Sequence, residues 1–205
     1  MRLNIDKETH KLSKDNYYEV MSDKHQIVIG HSFSSGMNHI VGWKTRLNGK
    51  NKKTAAFTIS LSGEIFQHYD PKYCSDFINI KGVNQFIIPI VLENEGWLIK
   101  DEENKRFLNW VGNIYNRDED IVPRKWRSKN YWAPYSKEQL ESSIKLVKYL
   151  CGEFNINQTS IGYNTKVDTI ADYNGVAFRS NYSSELTDLS PAFNFAEFKN
   201  KLELN

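Results

Sequence analysis

The compact run Gln26-Ile-Val-Ile-Gly30 constrains this chain most. Its β-branched centre, uninterrupted by charge, predicts a strand buried in a sheet. A second run, Phe86-Ile-Ile-Pro-Ile-Val-Leu92, predicts another; Pro89 lacks a ladder donor, which places that strand at an edge or a bulge. Between them, Ala55–Leu61 alternates, breaks at Ser62-Gly63 and resumes as Glu64–Tyr69, a β-hairpin. Ser32–Lys53 reads as a long loop or a loop with a short helix. Glu95-Gly96 turns into a short returning strand, Trp97–Ile99. Asp101–Tyr131 is charged, aromatic and the least regular part of the chain.

Ser136 is a good N-cap with Gln139 at the capping-box position. Leu140, Ile144, Val147, Leu150 and Cys151 follow at helical spacing. Ile156 and Ser160–Gly162 read as a short strand, Val167–Tyr173 as a short helix, and Ala192–Leu202 as a terminal helix. Residues 1–24 form a polar lead-in and 25–205 one domain. The economical architecture is α/β, a single mixed central sheet flanked by helices.

With 205 residues, 40% hydrophobic and 13% aromatic, the chain is a folded globular protein. A net charge of +2 gives no global field toward long nucleic acid or a membrane surface. Cys74 and Cys151 have no CxxC partner, so a disulfide framework is not expected. No apolar h-region or membrane-length run occurs, so the expected home is the cytoplasm of a bacterium or a phage-infected cell. No Walker loop, dinucleotide fingerprint or Ser-His-Asp spacing is present, and Gly63 and Gly82 read as turn glycines.

Five segments carry a further signal in order: Ile27-Val-Ile-Gly-His31-Ser; Phe57-Thr-Ile-Ser-Leu-Ser-Gly63-Glu-Ile-Phe-Gln; Asn84 with Ile88-Pro-Ile-Val-Leu-Glu93-Asn; Tyr131-Trp-Ala-Pro-Tyr-Ser-Lys-Glu-Gln139; and Thr187-Asp188-Leu-Ser-Pro-Ala-Phe193. Together, over residues 25–199, they resemble the zinc-dependent N-acetylmuramoyl-L-alanine amidases, the group of phage lysozyme-type amidases and peptidoglycan recognition proteins. The resemblance implies an amidase-like fold in which His31 and Asp188 correspond to the outer two metal ligands. Arg179 stands where it implies the middle His, Val91 where it implies a catalytic Glu, Leu186 where many members place a Lys, and Pro89 where it implies a Gly. A guanidinium offers no lone pair, whereas catalytic zinc needs three ligands and an open position. The implied reading is therefore a degenerate site with no catalytic residue and no cofactor. Asp188 pairs with Arg179 there, and His31 and Asp188 remain the residual zinc candidates. A rebuilt site would draw on His25, His39, His68 or Cys74, of which His68 and Cys74 are placed to approach His31.

The loop after His31 borders the substrate groove in that family, which makes Trp43, Lys44 and Arg46 candidate groove residues. With Arg179, His68 and Asn84 they would line a cationic, aromatic pocket for an anionic ligand. Pro123–Trp132 interleaves cations with aromatics, and Arg124, Trp126 and Trp132 are its candidate ligand contacts. Three functions follow. The first is an inactive binder of a small anionic ligand, either a peptidoglycan fragment or a nucleotide immune signal sequestered by a phage protein. The second is an active zinc amidase with a rebuilt metal site. The third is an inhibitor module with a protein partner.

Overall fold

The computed structural model describes residues 3–117, 120–162 and 165–204. The first two residues of the lead-in, residues 118–119 of the irregular segment, and residues 163–164 and 205 of the expected domain lie outside that description. Among the described residues, fourteen strands and α-helices follow in order: β1 (Gln26–His31), α1 (Asn38–Thr45), β2 (Phe57–Ile59), β3 (Ile65–Gln67), β4 (Ile87–Leu92), β5 (Trp97–Asp101), β6 (Arg106–Leu108), β7 (Ile114–Tyr115), β8 (Val122–Trp126), β9 (Lys129–Trp132), α2 (Lys137–Phe154), β10 (Gly175–Phe178), α3 (Arg179–Tyr182) and α4 (Phe195–Glu203).

The central sheet runs β10-β1-β4-β2-β3. β1 pairs in parallel with β10 and β4, β4 in parallel with β2, and β2 antiparallel with β3, so the sheet is mixed. Both apolar runs are interior strands buried at every position, which is why they read as continuous hydrophobic stretches. Helices α2 and α4 pack Leu146, Val147, Leu150, Phe198 and Leu202 into the main core with Ile27, Ile29, Ile90 and Phe178.

Pro89 departs from expectation, because β4 lies between β1 and β2 and not at an edge. The Pro89 carbonyl accepts from Ala56 N at 3.1 Å, just before β2 begins. The missing N–H faces that same side, ahead of the β2 ladder, where no paired strand residue awaits it.

The segment read as irregular forms a second, antiparallel sheet in the order β7-β6-β5-β9-β8. Its β8–β9 turn places Arg127 and Ser128 at φ 47° and 63°. Two positive φ values in a two-residue loop are the type I′ arrangement that Asn-Gly normally signals, so Arg-Ser hid the hairpin. Ser160–Gly162 reaches only one bridge, Ser160 to Val176, and Val167–Tyr173 shortens to a 3-10 turn over Ile170–Asp172.

The lead-in packs on the sheet. Asp6 N donates to Ile65 O at 2.9 Å and Asp6 O accepts from Gln67 N at 2.8 Å, which covers the β3 edge. Leu12 and Tyr17 are buried in the main core.

Helix α2 starts at the expected cap. Ser136 Oγ accepts from Gln139 N at 3.0 Å and donates to Leu61 O at 2.5 Å. The Gln139 side chain turns inward instead of closing a capping box, and its Nε2 donates to Ile59 O and Glu93 O at 3.0 Å each. Ser136→Ala removes the cap and the tie to the hairpin, and about 1–2 kcal/mol of stability is expected to go with them. Urea unfolding measures this, and an unshifted midpoint would contradict it.

Candidate functional site

Gly30 and His31 end β1, and successive strand residues face opposite sides of a sheet. Above Gly30, a Cβ would lie 2.4 Å from Arg179 Cδ and 2.4 Å from Asp188 Oδ2, so only glycine leaves room for the pair. Asp188 Oδ2 accepts from Arg179 Nη1 at 3.1 Å and from the His31 backbone N–H at 3.2 Å. Asp188 is fully buried, and the Arg179 side chain keeps 21% exposure. The Arg179 guanidinium also lies 5.1 Å from the centre of the Phe77 ring.

The loop carrying this pair is tied down from several sides. Ser180 N donates to Asp188 O at 2.8 Å. Asn181 Oδ1 accepts from Phe178 N, and Asn181 Nδ2 donates to Gly162 O and Thr165 O, all at 2.8 Å. From the β8–β9 turn, Arg127 donates to Ser183 O at 2.9 Å, Ser180 O at 3.1 Å and Leu186 O. Arg127 sits inside the basic-aromatic segment but no motif singles it out; its three carbonyl bonds hold it in a turn conformation costly for a non-glycine residue.

On the other side, His31 Nδ1 bonds Tyr135 Oη at 2.8 Å, and Phe33 packs edge-on to the imidazole at 4.2 Å. Gly96, at φ 78°, approaches closely: a Cβ there would lie 2.8 Å from Phe33 and 3.1 Å from His31 Nε2. Trp110 Nε1 donates to Phe33 O at 2.8 Å, so the β6–β7 loop covers this corner. Burial pushes the His31 imidazole down to about 4, with Asp188 opposing and Arg179 reinforcing that shift, so the ring is neutral at pH 7.

Among the described residues, His31 Nε2, Arg179 Nε, Ser180 Oγ and Asp188 Oδ1 are buried without a hydrogen-bond partner. Two of these atoms are potential metal donors. Yet no group of three His, Cys, Asp or Glu among the described residues is arranged to hold a metal. The remaining neighbour on Asp188 is a permanent cation, and a donor set of one imidazole and one guanidinium-paired carboxylate does not fit catalytic zinc.

The other candidates separate into groups. His68 does not approach His31: its Nδ1 bonds His10 O and its Nε2 bonds Thr58 Oγ1, both at 2.8 Å. A carbonyl only accepts, so Nδ1 carries the proton and the Nε2 lone pair is spent on Thr58. Trp43 is a core residue, edge-on to His39 at 4.8 Å and to His68 at 5.4 Å, with no open face to line a groove. Lys44 and Arg46 beside it are exposed. Asn84 lies at the far end of the sheet, before β4 begins. Its amide is committed to Ile78, accepting from N at 2.9 Å and donating to O at 2.8 Å. Trp132 is fully buried and donates to Arg124 O at 2.7 Å, so it cannot stack a ligand. Arg124 is exposed and Trp126 half-buried on β8. Val91 is a core residue in register with Gly30 and Thr58. Leu186 is half-buried and contributes its carbonyl to Arg127. His25 stacks on Phe86 at 4.4 Å, and Cys74 is a buried free thiol.

Two buried imidazoles, His31 and His68, and the half-buried His39 share one titration behaviour. Burial is the first cause in each, holding His31 and His68 at about 4 and His39 at about 3, against an ordinary 6.5. The unfolded chain therefore binds these protons first. Stability is complete above the unfolded-chain value and is lost as pH falls from there toward the folded values, by at most about 4 kcal/mol per pH unit with all three titrating. The thermal midpoint is expected to drop by about 10 °C or more between pH 8 and pH 5. A midpoint constant across that range would contradict the burial of neutral rings.

The fold has known counterparts. No curated protein sequence matches the chain. Its fold matches the amidase LysC from Clostridium intestinale URNW at a TM-score of 0.53 and 14% identity, covering 98% of this chain and 99% of that one. A mutant endolysin from Bacillus subtilis matches at 0.54 and 15%, over 98% and 99%. AmiD from E. coli, solved with anhydro-N-acetylmuramic acid-L-Ala-D-gamma-Glu-L-Lys as its substrate, matches at 0.53 and 14%, over 95% and 66%. The sequence profile of the family Amidase_2, N-acetylmuramoyl-L-alanine amidase, matches residues 16–172, which ends before Arg179 and Asp188. With that match spanning most of its length, the chain belongs to the N-acetylmuramoyl-L-alanine amidase family.

Proposed function

We propose that this chain is a non-hydrolytic member of the amidase family that binds a muropeptide-like fragment through a carboxylate. The observation that carries the reading is the Arg179–Asp188 ion pair above Gly30 at 3.1 Å. A cation held there repels a metal ion and supplies no lone pair, so no bound water is activated. Val91, buried in the core at the position where the family resemblance implies a Glu, leaves that position without a general base.

The same arginine supports binding. Asp188 takes one of five guanidinium N–H donors, and Nε–H has no partner among the described residues. Nε–H is buried, but partial exposure of the side chain leaves its other free donors to meet a second carboxylate, and muropeptide stems carry carboxylates. AmiD, which shares the fold, was solved with such a fragment as its substrate. Among the described residues no helix is long and apolar enough to cross a membrane.

Titration calorimetry with a muramyl tripeptide, alongside digestion of purified sacculi, tests the reading. Binding without release of soluble muropeptides is expected. Arg179→Gln is expected to weaken binding about tenfold to a hundredfold, the range for a charge-assisted hydrogen bond. Release of muropeptides by the wild-type chain would instead establish an active hydrolase, and absence of binding would refute the ligand.

A further inference from the structure

Among the described residues Lys24 is the one lysine that the fold buries, with 6% of its surface exposed. A buried ammonium is costly unless an opposite charge meets it. None does here. Lys24 Nζ donates to Gln85 O at 2.7 Å, which spends one of its three N–H donors on a neutral acceptor. No carboxylate pairs with it among the described residues, and the titratable side chain that acts on it is Cys74, a thiol that burial pushes up and leaves uncharged at pH 7. Burial lowers the Lys24 ammonium to about 8 from an ordinary 10.5, so at pH 7 it is still mostly a cation.

The surroundings hold this cation at the wall of a cavity. Ser22 N donates to Lys72 O at 3.3 Å, and Ser22 Oγ donates to the same Gln85 carbonyl, which pins the lead-in beside the start of β4. Residues Met21, Ser22, Asp23 and Lys24 line one side of a cavity of about 520 Å³, and Lys72 and Phe154 line the rest. That volume falls within the range of small-molecule sites, about 300–1,000 Å³. Two lysines against the single carboxylate of Asp23 leave the lining with net positive charge. Met21, 72% exposed, and the half-buried Phe154 at the end of α2 add apolar surface. A thioether and a phenyl ring both make favourable contacts with an aromatic body. Lys24 precedes β1 by two residues, whereas the Arg179–Asp188 pair meets the last residue of that strand. Six strand residues, about 20 Å, therefore separate the two cations.

We propose that this cavity is a second ligand site, for a small aromatic molecule carrying an oxyanion, a phosphate or a carboxylate, with Lys24 as the charge that receives it. The anion gives the buried ammonium a partner, and the aromatic body covers Met21 and Phe154. The site is independent of the one proposed at Arg179.

Calorimetry with phenyl phosphate, benzoate and phenol tests it on the wild type, Lys24→Met and Arg179→Gln. At least one anion is expected to bind about tenfold more tightly than phenol, and the tighter anion identifies the headgroup. Lys24→Met keeps an apolar stem in the wall and removes the charge. It is expected to reduce anion affinity to that of phenol and, without ligand, to raise the thermal midpoint. Arg179→Gln is expected to bind the anions as the wild type does. At pH 8 an arriving anion is expected to draw up to about half a proton onto Lys24, read by repeating the wild-type titration in two buffers of different ionisation enthalpy. That readout needs no variant, so it decides the matter even if Lys24→Met does not fold. Equal affinity for phenol and the anions, no saturable binding, binding without proton uptake, anion binding retained by Lys24→Met, or binding lost in Arg179→Gln would each overturn the proposal.

Discussion

A carboxylate with no exposure, Asp188, is paired in this fold with a guanidinium 3.1 Å away. Removing one partner from such a pair leaves an uncompensated buried charge and costs on the order of 3–5 kcal/mol. The pair also organises the strand end, because the same carboxylate oxygen accepts the last backbone N–H of β1. Gly30 is part of this constraint, since any Cβ there would overlap both members. Charge, backbone hydrogen bonding and steric room thus agree at one point, and the loop from Phe178 to Asp188 is folded around it.

The second sheet braces that point from outside. Its two hairpin loops reach the two sides of the β1 end: Arg127 binds carbonyls of the Arg179–Asp188 loop, and Trp110 binds the Phe33 carbonyl beside His31. Neither contact needs an apolar core between the sheets, because each is a side-chain donor on a backbone acceptor. Strands β5 to β9, which follow β4 and precede α2 in the chain, therefore fix a site that the central sheet alone would leave open.

Legibility in the sequence followed the physics of each segment. The interior strands were plain because burial on both faces leaves their centres apolar, and α2 was plain because Ser136 and its apolar spacing agree. The edge assignment for Pro89 misread the chemistry: one missing donor excludes pairing on one side only, and β2 starts one step too late to need it. Of the second sheet β5 was legible, as the run Trp97–Ile99; its other strands were not, because they are short and the key turn is Arg-Ser. At the site, the juxtaposition of Arg179 and Asp188 came from ordered motifs, not from periodicity. Trp43, His68, Asn84 and Trp132 carried the right chemistry for a groove, but burial and committed hydrogen bonds place them in structural roles. Phe33, Tyr135, Trp110 and Arg127 gave no local signal, since their importance lies in contacts 53 or more residues distant for all but Phe33's neighbourhood with His31.

Equilibrium dialysis of the purified protein against Zn²⁺ at neutral pH, with bound metal counted per chain, tests the central claim most directly. A guanidinium fixed on the buried carboxylate of Asp188 predicts no stoichiometric zinc at micromolar free metal. One tightly held equivalent, lost on His31→Ala, would contradict it.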